Sequence, residues 1–556
     1  MNIKKIITPL AFFFFSKTLH AQASVDNFNT KNWYQLAPDK DGVYGIDLND
    51  AYSFLKGKKS TPVIVAVIDG GLDTTHEDLK NILWHNPKEI PGNGIDDDRN
   101  GYVDDVYGWN FLGNKNGENL EKESDERSRV YYRYRSSFES KDIDTDTLGT
   151  QDKWLYQEWT KAAAQMDISN DEQMEVMMLG AIQQTLKKQN EVLTKEMGKD
   201  TFAMDELEKY SAQNAKSKQA KMVFINSIKM MQLEPEATNV SMLKDLDEYL
   251  SQKKQTIENK TVAPPDRRAL IVKDDYSNFN DKDYGNPDVM GPDPDHGTHV
   301  SGIIGAQRGN NLGIDGIADN VKIMMLRAVP DGDEYDKDIA LAIRYAVDNG
   351  AKVINMSFGK SFSPQKNWVD DAVRYAEEHD VLLVHAAGNE NNNIDSTDNF
   401  PSPVFLDTKK EADNFITVGA SSDFKVTPEK MLAYFSNYGK EMVDVFAPGV
   451  KIYSCLPGSN QYGFHDGTSM ASPVVSGIAA LVRSYYPELS AEQVKFAIEN
   501  SVVHLPVDLD IVNKPGLDFS ELVPLETLCK SGGVVNAEKA LELAATLKPE
   551  KKKKLN

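Results

Sequence analysis

The sequence predicts an α/β protein: a doubly wound, mainly parallel sheet with helices on both faces and a mostly helical insertion. Three observations lead there. "PVIVAVID" (62–69) is an apolar run rich in β-branched residues with no polar alternation, as a strand covered on both faces requires. From about residue 263, buried-type strands alternate with amphipathic helices, which is the rhythm of βαβ units. Residues 130–262 are rich in Lys, Glu, Gln and Met and almost free of Gly and Pro, so this stretch reads as helices.

Taken in order, residues 1–23 have a charged start at Lys4 and Lys5, an apolar run from Ile6 to Phe15, and Ala21-Gln22-Ala23 as a small-residue cleavage site. That is the layout of a signal peptide, and it predicts export to a periplasm or the outside; the run is too short to span a membrane comfortably. Residues 24–60 lead into the first strand, and 61–129 form the first part of the α/β domain. In the 130–262 insertion, Leu179, Ile182, Leu186 and Leu193 keep three-four spacing, as do Leu243, Leu246 and Leu250, so helices there pack on each other or on the main domain. The second part of the domain, 263–547, contains "KVINMS" (352–357), "VLLVHAA" (381–387) and "FITVGA" (415–420) as strands. Helices are expected over 338–350, stopped by Gly350, and over 368–379; Ser490 with Gln493 forms a capping box for another. Residues 548–556 are a solvated basic tail.

A net charge of −23 over 556 residues argues against a nucleic-acid partner, which requires a basic face, and favours cation binding. The two cysteines, Cys455 and Cys529, read equally as a disulfide or as buried free thiols.

Three blocks bear on chemistry: "AVIDGGLD" with Asp69, "DPDHGTHVSG" with His296, and "GTSMASP" with Ser469. Each has a plain structural explanation. An Asp after a strand forms turns, a His beside Gly and Thr caps a helix, and a Ser with Pro four places later marks a helix start. Together they supply what a serine nucleophile requires: an imidazole to take its proton and a carboxylate to orient that imidazole. His296 and His299 are also spaced to share a metal, but no Cys or further His lies nearby to complete the set.

In this order, and with several residues matching in each block, the α/β portion resembles the subtilases, serine peptidases of the subtilisin family. The resemblance implies the subtilisin-like three-layer αβα fold, with Asp69 orienting the base, His296 as general base, Ser469 as nucleophile and His299 as structural. It implies that "AAGNE" (386–390) places Asn389 in the oxyanion hole beside the Ser469 N–H, and that Ser357, Phe358, Gly359 and Gly388 bind substrate, the "MSFG" stretch (356–359) by strand addition. "PDGDEYD" (330–336) takes the place of the opposite cleft wall, and its acidity predicts a preference for basic residues before the cut. The family usually has Ser or Thr after the triad Asp; here Gly70 removes that hydroxyl. No organic cofactor is implied. The expected activity is endopeptidase action on proteins or peptides through an acyl-enzyme. A catalytically idle scaffold that binds a partner through the insertion, and an esterase using the same triad, are the alternatives.

Residues 24–61 are fewer than the usual subtilase pro-segment, so the insertion is the candidate to act as chaperone, lid or partner-binding arm. Separately, Asp96, Asp98, Asn100, Tyr102 and Asp104, with Gly101 at the turn, follow positions one, three, five, seven and nine of a calcium loop. Position twelve is Tyr107 rather than Glu, which leaves Asp105 or a carboxylate from elsewhere to complete a structural Ca2+ site.

Overall fold

The computed structural model describes residues 30–231, 238–427, 430–506, 511–516 and 521–550; the expected signal peptide and residues 551–556 of the tail lie outside the described residues. The chain divides into two compact units. The larger comprises Val25–Val130, Tyr134–Trp159 and Pro265–Asn556; the smaller includes Tyr131–Arg133 and Thr160–Pro264.

The larger unit is built on a seven-stranded sheet. Its strands are β1 (Val63–Asp69), β2 (Gly108–Asn110), β3 (Val321–Arg327), β4 (Val353–Met356), β5 (Leu382–Ala386), β6 (Phe415–Ser421) and β7 (Val445–Pro448). They are ordered β2-β3-β1-β4-β5-β6-β7, and every pairing is parallel. The period-two geometry of a strand explains why the first run lacks alternation. Val65 and Val67 enter the core that contains Val474 and Ile478 of the Thr468–Tyr485 helix. Ala66 and Ile68 enter the core on the opposite face, with Ile339 and Ile343 of the Asp336–Asp348 helix and Val369 and Val373 of the Lys366–Glu378 helix. This is the three-layer αβα arrangement.

The order places β1 between β3 and β4, so the chain switches direction across the sheet there. Open parallel sheets bind ligands just beyond the strand C-termini at such a point. Asp69 is the last residue of β1. A hairpin of β8 (Ile452–Cys455) and β9 (Tyr462–His465) leads into the Thr468–Tyr485 helix. The Ser490 capping box is formed with Gln493 at the start of the Ala491–Glu499 helix. Cys455 and Cys529 are both free and buried.

The smaller unit has its own core. The Asn170–Met197 helix starts at a Ser169–Glu172 capping box and buries Leu179, Leu186 and Leu193 against Phe202, Phe224, Leu246 and Leu250. Tyr134–Trp159, within the expected insertion, groups with the larger unit. Two of its side chains bond there: Trp154 Nε1 donates to Ser363 O at 2.8 Å, and Glu158 accepts the Ser363 N–H at 2.7 Å.

Candidate active site

Asp69 and His296, 227 residues apart in the chain, meet at the C-terminal edge of β1. His296 lies in the first turn of the Asp295–Gly305 helix, and its Nδ1 is 2.8 Å and 2.9 Å from the two oxygens of buried Asp69. An ionised carboxylate only accepts, so the contact fixes the proton on Nδ1 and leaves Nε2 as the basic nitrogen. Asp69 Oδ1 also accepts the Gly70 main-chain N–H at 2.8 Å. The helix approaches β1 this closely because Gly297 has no side chain; a Cβ there would lie 2.1 Å from Gly71 O. Burial lowers the His296 pKa, but the Asp69 charge and hydrogen bond outweigh it, so His296 titrates above 6.5. Burial is the largest single influence although the side chain keeps 42% exposure, and the Asp69 charge and hydrogen bond overcome it together with the nearby Asp295 and Asp293 charges.

His299 sits apart from this pair. Its Nε2 is 3.2 Å from Gly463 O, and burial with the neighbouring His465 depresses its pKa well below 6.5, leaving a neutral ring. The two histidines therefore serve separate partners rather than one metal. His465 Nε2 lies 2.7 Å from Asp295, tying the residue before His296 to the loop that delivers Ser469.

Ser469 is the second residue of its helix; Gly467, not Ser469, is the N-cap. Its hydroxyl donates to Ser357 O at 3.0 Å, and among the described residues it makes no hydrogen bond to His296. In return, Ser357 Oγ donates to Ser469 O at 2.9 Å. Pro473 explains why that carbonyl is available, because it lacks the N–H that would otherwise bind the carbonyl four residues earlier.

Asn389 faces the same helix start. Its Oδ1 accepts from Thr468 N at 2.9 Å and Thr468 Oγ1 at 3.0 Å, which satisfies a helix N-terminal amide and directs Nδ2 outward. Asn389 Nδ2 and Ser469 N converge: a Cβ on Gly467 would lie 3.6 Å from the first and 3.4 Å from the second. Glycine leaves that point open. Two N–H donors brought close to one open point can stabilise a developing oxyanion. Gly388, at φ +100°, makes the turn that presents Asn389. Its N–H donates to Thr468 Oγ1, and its carbonyl accepts the Asn437 N–H, so its main-chain groups are already engaged within the fold.

Ser357, Phe358 and Gly359 leave the end of β4. The Ser357 carbonyl is used by Ser469, and the Phe358 carbonyl lies 2.8 Å from His385 Nε2. Burial holds the His385 pKa down at about 4, so this ring is neutral and its Nε2–H donates. Gly359 is exposed, and a Cβ there would come within 2.5 Å of Asn399 Oδ1. Asn399, which the sequence did not single out, lines a pocket with His385, Phe400 and Thr417. Its Nδ2 donates to Ala386 O and Ala387 O.

The acidic wall 330–336 differs from expectation. Glu334 and Asp336 are buried, Asp331 pairs with Lys122 at 3.3 Å, and Asp333 accepts the Glu126 N–H at 2.7 Å. Asp331, Asp333 and Asp336 have partners within the fold and Glu334 is buried, so the wall presents little open acidic surface to basic side chains. The wall also gains a neighbour: Glu123 N donates to Asp331 O, and Asp331 N to Glu121 O, both at 2.8 Å.

The calcium-type loop is partly rearranged. Asp96 and Asp98 converge with Glu89, offering carboxylate oxygens all within 4.8 Å of one another. Glu89 is only 8% exposed; its Oε1 accepts the Asp97 and Asp98 N–H groups, while Oε2 has no partner among the described residues. A buried oxygen without a donor, among other carboxylates, fits a hard cation. Asp104 instead accepts the Asn93 and Gly94 N–H groups at 3.1 Å and 2.9 Å and closes the base of the loop. Asn100 Oδ1 accepts the Tyr102 N–H, and its Nδ2 donates to Asp105. The Tyr102 ring packs edge-on against Trp109 and Tyr345. Glu89 was hidden because it lies outside the alternating pattern; a Glu seven residues before Asp96 was the only signal.

Known proteins resemble this chain over about two fifths of its length. The chain is 41% identical over 221 residues to the thermophilic serine proteinase of Bacillus sp. (strain AK1), covering 40% of this chain and 49% of that protein. It is 38% identical over 214 residues to subtilisin DY of Bacillus licheniformis, covering 38% and 71%. It is 36% identical over 227 residues to the major intracellular serine protease of Bacillus subtilis (strain 168), covering 40% and 65%. The subtilase family model matches residues 60–521, most of the chain and every residue of this candidate active site, and the chain therefore belongs to the subtilase family.

Proposed function

We propose that this protein is an exported serine endopeptidase that cleaves extended segments of proteins. The observation that carries the reading is the pair of arrangements at one sheet edge: His296 Nδ1 held by Asp69, and Asn389 Nδ2 converging with Ser469 N at the helix start. In this reading the Ser469 hydroxyl turns from Ser357 O towards His296 Nε2, which takes its proton as Oγ attacks the scissile carbonyl. Asp69 stabilises the imidazolium, and Asn389 Nδ2 with the Ser469 N–H stabilises the oxyanion. His296 returns the proton to the leaving amine, and water then resolves the acyl-enzyme on Ser469.

An extended peptide would add as a strand along 357–359, with the pocket beside Asn399 receiving a side chain. Export rests on the layout of residues 1–23, and a periplasmic or extracellular location follows from it. Among the described residues no helix is long and apolar enough to cross a membrane. Calcium would act as a structural ion held by Glu89, Asp96 and Asp98.

Labelling with a fluorophosphonate probe tests the reading. Wild-type protein is expected to label, and Ser469→Ala to abolish the signal. Absence of labelling in the wild type would sink the enzyme and leave an idle scaffold. A probe-reactive protein that hydrolyses esters but no peptides would be an esterase instead.

A further inference from the structure

The two walls of the cleft are joined behind the substrate path by a buried set of charges with no part in the chemistry above. Lys360 follows Gly359, and its backbone pairs in both directions with Phe400, at 3.1 Å and 2.9 Å. Its ammonium crosses to the other wall, donating to Glu334 O at 2.8 Å and pairing with Asp336 at 2.8 Å and Glu126 at 3.3 Å. Arg129 supports the same wall from the side. Its guanidinium donates to Asp333 O at 2.9 Å and Glu334 O at 3.0 Å, pairs with Glu126, and lies 4.2 Å from the centre of the Tyr335 ring. Asp336 in turn accepts from Ser363 Oγ and Gln365 N beyond Lys360. Lys360, Arg129, Glu126 and Asp336 are all buried.

Opposite charges hold the cluster together. Lys360 and Arg129 face the carboxylates of Glu126 and Asp336, with Glu123 and Asp333 close to Arg129, while burial pushes the Glu334 pKa up to about 8, so that side chain is neutral at pH 7. Removing one partner of such a set leaves the others buried and unpaired, which is costly. The energy is therefore concentrated on holding two backbone segments at a fixed separation.

We propose that Lys360, supported by Arg129, is a positioning residue that sets the distance between the 331–335 and 357–360 walls and so tunes the fit of an extended peptide. The proposal rests on the peptidase reading only for its kinetic consequence. Small acylating probes need the Ser469–His296 centre but do not span both walls, whereas a long peptide touches both.

Two measurements on full-length protein decide it. In Lys360→Met, KM for a six-residue or longer peptide is expected to rise about tenfold, with kcat and the fluorophosphonate labelling rate within about twofold of wild type. Hydrogen exchange at amides 331–335 and 357–361 should quicken in both segments together. Should Lys360→Met fail to fold, Arg129→Lys, which keeps the charge but breaks the fork on the two carbonyls, should give the same pattern with a smaller KM rise. An unchanged KM overturns the proposal. So does a parallel fall in labelling and peptide turnover, which would mark a general structural role, or faster exchange in one wall alone. If the wild type neither labels nor turns over peptide, the peptidase reading has failed, and the exchange experiment still decides whether Lys360 couples the walls.

Discussion

Ser357 and Ser469 exchange two hydrogen bonds: the Ser469 hydroxyl donates to Ser357 O, and the Ser357 hydroxyl donates to Ser469 O. The second bond exists because Pro473 leaves the Ser469 carbonyl without its helical partner. Asn355 Nδ2 donates to Ser357 Oγ at 2.9 Å, and Asn355 Oδ1 accepts from Ser472 and Ser476. The start of the nucleophile's helix is thus moored to the end of β4. Ser357→Ala should loosen Ser469 while leaving the peptide-binding backbone in place. Steady-state kinetics is expected to show kcat lowered about tenfold at nearly constant KM. A change in KM alone would show that the hydroxyl serves binding instead.

Gly467 keeps open the point on which Asn389 Nδ2 and Ser469 N converge. Gly467→Ala places a methyl there, and kcat should fall by about 10²-fold or more, the cost typical of losing an oxyanion donor. Asn389→Ala should lower kcat to a similar extent. It also removes the acceptor for Thr468 N, so it should cost about 1 kcal/mol of stability, visible in a denaturant melt. Full activity in Gly467→Ala would place the oxyanion elsewhere.

The Asp69–His296 pair sets a pH dependence. The base must be neutral, and its pKa lies above 6.5, so kcat/KM should fall as the pH drops through a value above 6.5. In Asp69→Asn the charge and the carboxylate acceptor are gone while the partial burial remains, so the acid limb should move to lower pH and the plateau should drop. The pair's contribution to stability has the opposite sense. A raised histidine pKa stabilises the fold fully below 6.5 and loses that contribution as pH rises through the folded-state value. An acid limb that stays put in Asp69→Asn would mean another group controls it.

Removing calcium with EDTA should lower the melting temperature, and added calcium should restore it. In a cooperative unit of this size the shift scales as about 1 °C per kcal/mol of binding energy lost. Glu89→Gln should abolish the calcium response, because it replaces the buried carboxylate whose Oε2 has no partner among the described residues. Asp104→Asn should weaken the loop but keep the response, since Asp104 is occupied by the Asn93 and Gly94 amides. A calcium response intact in Glu89→Gln would exclude this ligand set.

Much of the fold was legible because its signals are local. The unbroken run at 63–69 reflects burial on both faces, and the Ser490–Gln493 cap forms within a single turn. Leu179, Leu186 and Leu193 fall on one face by helical spacing alone. Short strands such as β2, with three residues, carry too little pattern to be read. The acidity of 330–336 was read correctly as composition, yet its meaning depended on Arg129 and Lys360, which approach from distant parts of the chain.

The sequence by itself determined which chemical groups are present and which helices and strands carry them. Tertiary structure alone decided how those groups are used. It put Asp69 beside His296, turned the Asn389 amide by offering Thr468 as donor, and brought Glu89 rather than Asp104 to Asp96 and Asp98. The physical reason is that hydrogen-bond direction and charge pairing depend on distances of a few ångströms between residues far apart in the chain. Local spacing fixes faces and turns, and only the packed sheet edge fixes those distances.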